Sequence, residues 1–250
     1  MLSDFFSGVG LLLRGFGFWR RRPGVMLLGL VPAAIVFALM LAALIALGAN
    51  LPSLVVWLTP FDDAWPEPWP TIIASALGAV LLGGAIVLAA VTFTALTLAV
   101  GDPFYERIWR AAEQELGEVP EAGAGFWRAV RSSLALLGMG VLTALLVVLA
   151  GFVPLLGAAL APTLGIVLSG RLLAVELSSR AFEARGIPGA GQRALRRGIR
   201  WELLGFGVAT QLLFMVPLGA VFTMPAAVAG STFLAGRALD AARPAGRNTP

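Results

Sequence analysis

The chain is 250 residues long, 58% hydrophobic and only 13% charged, with a mean hydropathy of +0.88. A soluble domain is about a quarter charged, so this composition excludes a single water-coated globule. With no Cys, no His and Arg as all 18 basic residues, the inventory also excludes thiol and imidazole catalysts, zinc–thiolate sites and reactive or phosphate-loop lysines.

From the N-terminus, Leu2, Phe5, Phe6, Val9, Leu12, Leu13, Phe16 and Trp19 recur at helical spacing, and Ser3, Asp4, Ser7 and Arg14 fill the other face. The pattern predicts an amphipathic helix lying on a membrane. The apolar run that follows is too long for a cleaved signal peptide. Arg20, Arg21 and Arg22 then precede Pro23-Gly24, and 39 uncharged residues separate Arg22 from Asp62. Gly24 to Asn50 reads as one long helix with Pro32 near its start. After a loop carrying Asp62, Asp63 and Glu67, 34 uncharged residues lead to Asp102. Residues 71–100 read as a second long helix. Both gaps exceed the roughly 20 apolar residues that cross a bilayer.

Gly101-Asp102-Pro103-Phe104 reads as a new helix start, with Asp102 as N-cap and Pro103 at N1. Glu106 and Arg110 follow at the favourable i,i+4 spacing, and Phe104, Ile108 and Ala112 share a face. A break from Gly117 to Gly125 precedes a helix running into the third gap, 39 uncharged residues between Arg131 and Arg171. Gly151, Pro154, Gly157 and Pro162 punctuate it. Pro217, Gly219 and Pro225 punctuate the fourth, 34 residues between Glu202 and Arg237. Turns at Pro154 and Gly157, and at Pro217 and Gly219, leave arms of about 14 to 18 residues, short for full crossings. Both gaps therefore read as helical hairpins that enter the membrane and return. Such broken backbone is tolerated where protein buries it or water reaches it. Each hairpin runs eight positions from proline to proline and then reaches a Gly-Arg pair, Gly170-Arg171 and Gly236-Arg237. An internal repeat produces this likeness, and so do common Pro-Leu-Gly turns. Residues 171–185 and 190–202 read as a helix pair around Gly186-Ile187-Pro188-Gly189. Together with 102–131 they form a small cytoplasmic head on a single membrane domain, residues 1–240. Residues 241–250 have little to bury and read as a disordered tail.

Loop charge orients the chain. All 18 arginines fall in segments that the helix count places on one side, and the acidic loop stands alone opposite. Arginine-rich loops face the cytoplasm, which puts both termini there, provided each hairpin returns to the side it left. The seven tryptophans lie at or outside the ends of apolar stretches, as interfacial residues do. Ala79 and Gly83 on the second long helix permit close helix contact.

Arg20, Arg21 and Arg22 sit where the first long helix begins. A helix N-terminus offers free N–H groups, Pro23 suits N1, and Gly24 lets a ligand approach the backbone. Three guanidiniums there have the forked donors that bind sulfate or phosphate, lipid phosphate included. A basic cluster before a first membrane helix is equally the ordinary orientation signal.

Taken together, the layout resembles the CysZ-like sulfate permeases, grouped with the etoposide-induced protein 2.4 family. The likeness spans nearly the whole chain. It rests on the amphipathic start, Pro23-Gly24, Asp102-Pro103-Phe104, and Arg200-Trp201-Glu202 through Gly205-Phe206-Gly207. Val216-Pro217-Leu218 and the block Met224-Pro225-Ala226-Ala227-Val228-Ala229-Gly230 complete it. The resemblance implies sulfate uptake across the bacterial inner membrane and a homo-oligomer. In the family a hydrophobic residue and then arginine follow the Pro-Gly. Here Val25 is followed by Met26 and Leu27, so the arginines at hand precede the turn. Gly24 and Val25 carry over as backbone positions only.

The expected protein is thus an all-α integral membrane protein. It has two long transmembrane helices, two partly inserted or re-entrant hairpins, an amphipathic N-terminal helix and a cytoplasmic helical head. Its expected function is passive or gradient-driven passage of a small inorganic anion, sulfate by resemblance, with Arg20, Arg21, Arg22, Gly24 and Val25 as anion-binding residues. Membrane lipid is a further partner. No enzyme activity, cofactor, metal or nucleic acid is expected. The alternative is a non-transporting scaffold or lipid-organising protein with an arginine-rich cytoplasmic face.

Overall fold

The computed structural model describes residues 1–60, 66–117, 126–151, 157–216 and 218–243, without the side chains of 126–137 and 157–159. Among the described residues all regular structure is helical: α1 (Leu2–Phe16), α2 (Phe18–Arg21), α3 (Pro23–Leu28), α4 (Val31–Leu58), α5 (Trp69–Leu116), α6 (Phe126–Gly151), α7 (Gly157–Ala184), α8 (Gly189–Gly198), α9 (Arg200–Phe214) and α10 (Gly219–Ala242). Four runs are long and apolar enough to cross a membrane: Pro23–Leu58, Trp69–Leu116, Leu160–Ala184 and Gly219–Ala242. The chain is a membrane protein. Its helices form two compact units, one of Leu30–Pro103 and one of Met1–Gly29 with Phe104–Pro250.

In the first unit, α4 and the apolar part of α5 present large bare side chains outward. Phe37, Leu39, Ile45 and Trp57 on α4, and Val80, Val87, Leu88 and Val91 on α5, are all exposed. Water would penalise that surface; hydrocarbon does not. The two helices meet where Gly78 lies against Leu51 and Val55. The run expected as one helix from Gly24 to Asn50 is divided at Gly29–Leu30 and ends later, at Leu58, passing through Pro52. Pro32 lacks the donor that would bond the Leu28 carbonyl, which loosens the backbone at the division.

The second unit is built around α10, whose residues from Ala220 to Ala238 are mostly buried. Ala226, Ala227, Ala229, Gly230 and Ser231 keep its surface narrow, so α1, α7, α8 and α9 all pack on it. Glycines mark the closest approaches. A Cβ on Gly8 would overlap the Glu202 carbonyl, and one on Gly205 the Phe5 carbonyl; these two glycines set the α1–α9 crossing. Gly15 lies in the same way on the Ala226 carbonyl of α10. Gly170 of α7 and Gly207 of α9 face each other backbone to backbone. Close approach of this kind is available only where no side chain intervenes.

Several expectations change against this architecture. The N-terminal helix forms as expected, but it is a packed element of the bundle. Its inward face is Gly8, Leu11, Leu12 and Gly15, whereas Leu2, Phe6 and Leu13 are exposed. No helix begins at Asp102: α5 continues through Pro103 to Leu116, because Tyr105, Ile108, Trp109 and Ala112 beyond it are buried and hold the backbone in register. The break at Gly117, in the left-handed region at φ 92°, and the turn around Gly186 at φ 68° are where the sequence puts them. The helix expected at 171–185 is the end of α7, continuous with its apolar run, and the one expected at 190–202 is split by Ile199 into α8 and α9.

The prolines of the two hairpins divide. Pro154 and Pro217 lie outside the described residues. Gly157 and Gly219 are the first residues of α7 and α10, with Leu218 just before Gly219 at φ 60°. A Cβ on Gly219 would overlap the Leu213 carbonyl. Pro162 and Pro225, however, do not break their helices; each lies past the four unpaired donors of the helix start and gives up one i→i−4 hydrogen bond within a helix that continues through it. Pro225 is buried, and its ring lies over Gly29, whose Cβ would come 2.5 Å from the proline Cγ. Trp109 is also buried, donating to Glu113 Oε1 at 3.1 Å. The tail is helical to Ala242, and residues 244–250 lie outside the description.

Candidate anion-binding site

The arginine cluster lies on a short connector whose ends are anchored by apolar side chains. Phe18 of α2 and Met26 of α3 are fully buried, and the Phe18 ring lies 5.7 Å from that of Phe233 on α10. Between these anchors the chain turns at Arg22, at φ −136° and ψ 60°. The Arg22 N–H donates to the Phe18 carbonyl at 2.7 Å, and its own carbonyl accepts from Val25 and Met26 at 3.1 and 3.2 Å. The Val25 N–H is therefore engaged within the turn. Arg20, Arg21, Arg22, Pro23 and Gly24 are all exposed, and a Cβ on Gly24 would meet nothing within 4 Å.

The three arginines are not equivalent. Arg21 Nη1 pairs with Glu115 Oε2 at the end of α5 at 2.7 Å, Nη2 donates to the Arg14 carbonyl at 3.3 Å, and the guanidinium lies 5.0 Å from the Phe18 ring centroid. It ties the connector to α5 and α1. Arg20 and Arg22 have no ion-pair partner among the described residues. Two bare guanidiniums beside a neutralised third leave local positive charge and ten unpledged N–H donors in principle, five per guanidinium. Arg21→Ala is expected to lower stability by about 1 kcal/mol, the upper end for a partly exposed pair. Arg20→Ala should fall within about 0.5 kcal/mol of wild type. Thermal unfolding of the purified variants in detergent distinguishes the two, and equal losses would show that Arg21 is not the anchor.

Other polar groups that shape this end of the bundle were not legible in the sequence. Glu113 is fully buried and takes both Arg185 nitrogens, Nη1 to Oε1 at 2.9 Å and Nη2 to Oε2 at 2.6 Å, joining the end of α5 to the end of α7. Glu202 Oε1 accepts from Arg237 Nη2 at 2.7 Å, joining α9 to α10. These partners lie 72 and 35 residues apart, and no periodicity or motif signals a pair at such a distance. The expected Glu106–Arg110 pair is present at 2.6 Å. Among the described residues no group of acidic residues has the makings of a metal site.

Helices long and apolar enough to cross a bilayer define an integral membrane protein, and two exposed arginines with no ion-pair partner among the described residues stand where the first apolar run begins. The chain belongs to the family described as sulfate transporter CysZ/etoposide-induced protein 2.4, whose model matches residues 11–225. It is a family of transporters and not of enzymes. Proteins named sulfate transporter CysZ from Salmonella typhimurium and Salmonella typhi are 33% identical to it over 81 residues, 32% of this chain and 32% of each relative. The chain thus aligns with about a third of the length of these curated relatives.

Proposed function

We propose that this protein is a bacterial inner-membrane permease or channel for a small oxyanion, sulfate first, moving passively or down a gradient. The observation that carries the reading is the pair of exposed guanidiniums of Arg20 and Arg22, without an ion-pair partner among the described residues, at the head of the Pro23–Leu58 run, on a connector held by buried Phe18 and Met26. The family and its named relatives support sulfate. Tetrahedral oxyanions suit forked N–H donors. In this reading Gly24 leaves room for the anion to reach the turn.

The topology proposed with it has the Pro23–Leu58 and Trp69–Leu116 runs crossing the bilayer, α6–α7 and α9–α10 as partly inserted hairpins, and both termini in the cytoplasm. The one-sided arginine distribution supports this orientation. The burial of α10 supports a hairpin lodged in protein rather than spanning lipid alone. A homo-oligomer completes the proposal, since the apolar faces of α4, α5 and α6 are open to a second copy as well as to lipid.

Radiolabelled sulfate flux into proteoliposomes, with phosphate and chloride as competitors, tests the function. The R20Q/R22Q variant should lose about tenfold or more in sulfate uptake, the worth of one charged hydrogen bond or more. Absence of both flux and specific sulfate binding in the wild type would leave the scaffold reading in its place.

A further inference from the structure

The junction of α8 and α9 carries a concentration of positive charge. Residues 189–200 hold four arginines and no acid. Arg193 and Arg197 lie one turn apart on α8 and are exposed, as is Arg200 at the start of α9. None of the three has an ion-pair partner among the described residues.

Arg196, in the same row, turns inward and is 9% exposed. Its Nε donates to Ser178 Oγ at 3.2 Å. Nη2 donates to Ser179 Oγ at 2.8 Å, the Val175 carbonyl at 3.0 Å and Gln192 Oε1 at 3.2 Å. The guanidinium also lies 5.2 Å from the Phe182 ring centroid. Every one of these acceptors is neutral. Burial pushes Arg196 down to about 10; Glu183 acts against that through space, and Arg171 adds to it. The neutral socket has two effects. It anchors α8 on α7, so Arg193 and Arg197 project from a fixed helix. It also puts no acid in hydrogen-bond contact with the Arg196 guanidinium among the described residues.

A second observation is apolar. α1 and α9 run antiparallel where Gly8 meets Glu202 and Gly205 meets Phe5, so residues 5–8 of α1 lie against residues 202–205, just beyond Arg200, and Leu2 falls farther along α9. On the first half of α1, Leu2 is 77% exposed and Phe6 66% exposed. Trp201 is half-buried, with the Arg200 guanidinium 5.5 Å from its ring centroid. Exposed apolar side chains on one helix and exposed guanidiniums at the start of the helix it crosses suit a headgroup layer. The apolar groups enter the acyl boundary, and the cations remain at the depth of the phosphates.

We propose that Arg193, Arg197 and Arg200, with Phe6 on the helix that crosses α9, form a binding surface for the headgroup phosphates of anionic phospholipid, a site other than the one proposed at Arg20 and Arg22. A guanidinium at an anionic surface strengthens lipid association by about fivefold, so three acting together give a preference of tenfold or more.

The test uses the full chain, purified in detergent, exchanged into equimolar phosphatidylglycerol and phosphatidylcholine, and analysed for retained lipid by mass spectrometry. The wild type should retain phosphatidylglycerol over phosphatidylcholine by tenfold or more, with the preference falling as salt rises. R193Q/R197Q/R200Q should bring the ratio near one, and R193K/R197K/R200K should keep most of it. The Lys variant shows whether charge or mere surface change is responsible, and size-exclusion profiles verify that each variant is folded. An unchanged ratio in the Gln variant overturns the proposal, as does displacement by inorganic phosphate as readily as by phosphatidylglycerol. Sulfate flux of the Gln variant should equal that of the wild type, so loss of lipid preference and loss of transport are read separately.

Discussion

Gly8→Ala should lower the stability of this protein by about 2 kcal/mol, while Gly10→Ala, two residues along the same helix, should leave it unchanged or raise it by up to about 1 kcal/mol. Both substitutions replace a flexible residue by the best helix former, so propensity favours both equally. Their surroundings differ. A Cβ on Gly8 would overlap the backbone carbonyl of Glu202, and a backbone cannot turn aside as a long side chain can; a Cβ on Gly10 meets nothing within 4 Å. The difference between the two therefore isolates the α1–α9 crossing from every general effect of the substitution. Melting of the two purified variants in the same detergent measures it, and equal melting temperatures would show that α1 does not pack as described. Gly207→Ala, at the α7–α9 crossing, should behave like Gly8→Ala, since its Cβ would overlap the Gly170 carbonyl.

Arg185→Met should be among the most damaging polar substitutions, with a loss of about 3 to 5 kcal/mol, because it strands the fully buried Glu113 carboxylate without its cation. Glu113→Gln should be milder, about 1 to 2 kcal/mol. The Arg185 it leaves behind is 18% exposed and still donates to the Ala181 carbonyl, and Gln retains an acceptor for the Trp109 N–H. The double variant E113Q/R185M should recover at least about 1 kcal/mol relative to R185M alone, since no charge then remains buried. Thermal unfolding of the four proteins forms a double-mutant cycle. Simple additivity would mean that the bidentate pair contributes no coupling between α5 and α7.

The sequence was legible where the signal is one-dimensional. Four uncharged gaps announce the apolar helices, because a hydrocarbon slab removes charge from any segment that stays within it. The glycines at 117 and 186 announce turns, because a positive φ favours a residue without a Cβ. The Arg20–Arg22 cluster was visible as a cluster, but the different standing of Arg21 was not: its partner Glu115 lies 94 residues away. Proline misled in both directions. Pro103, Pro162 and Pro225 were read as a start or as breaks, yet each lies within a helix. A single lost donor is outweighed by the packing of the residues beyond it, and that packing is a three-dimensional quantity. For α1 the apolar spacing identified the helix but not the face that packs on the bundle, because the residues that pack most closely are glycines, which hydropathy scarcely weighs.

By itself, then, the sequence determined that this is an all-helical membrane protein, where its apolar runs lie, and that arginine alone supplies its cations. Those are consequences of composition and spacing, and every fold of this chain would have to respect them. Only the tertiary structure decided which helices meet, which glycines are contact points and not merely flexible positions, and which arginines are tied into ion pairs. A helix crossing and an ion pair each depend on two residues remote in sequence arriving at the same place, and one chain read end to end has no term for that coincidence.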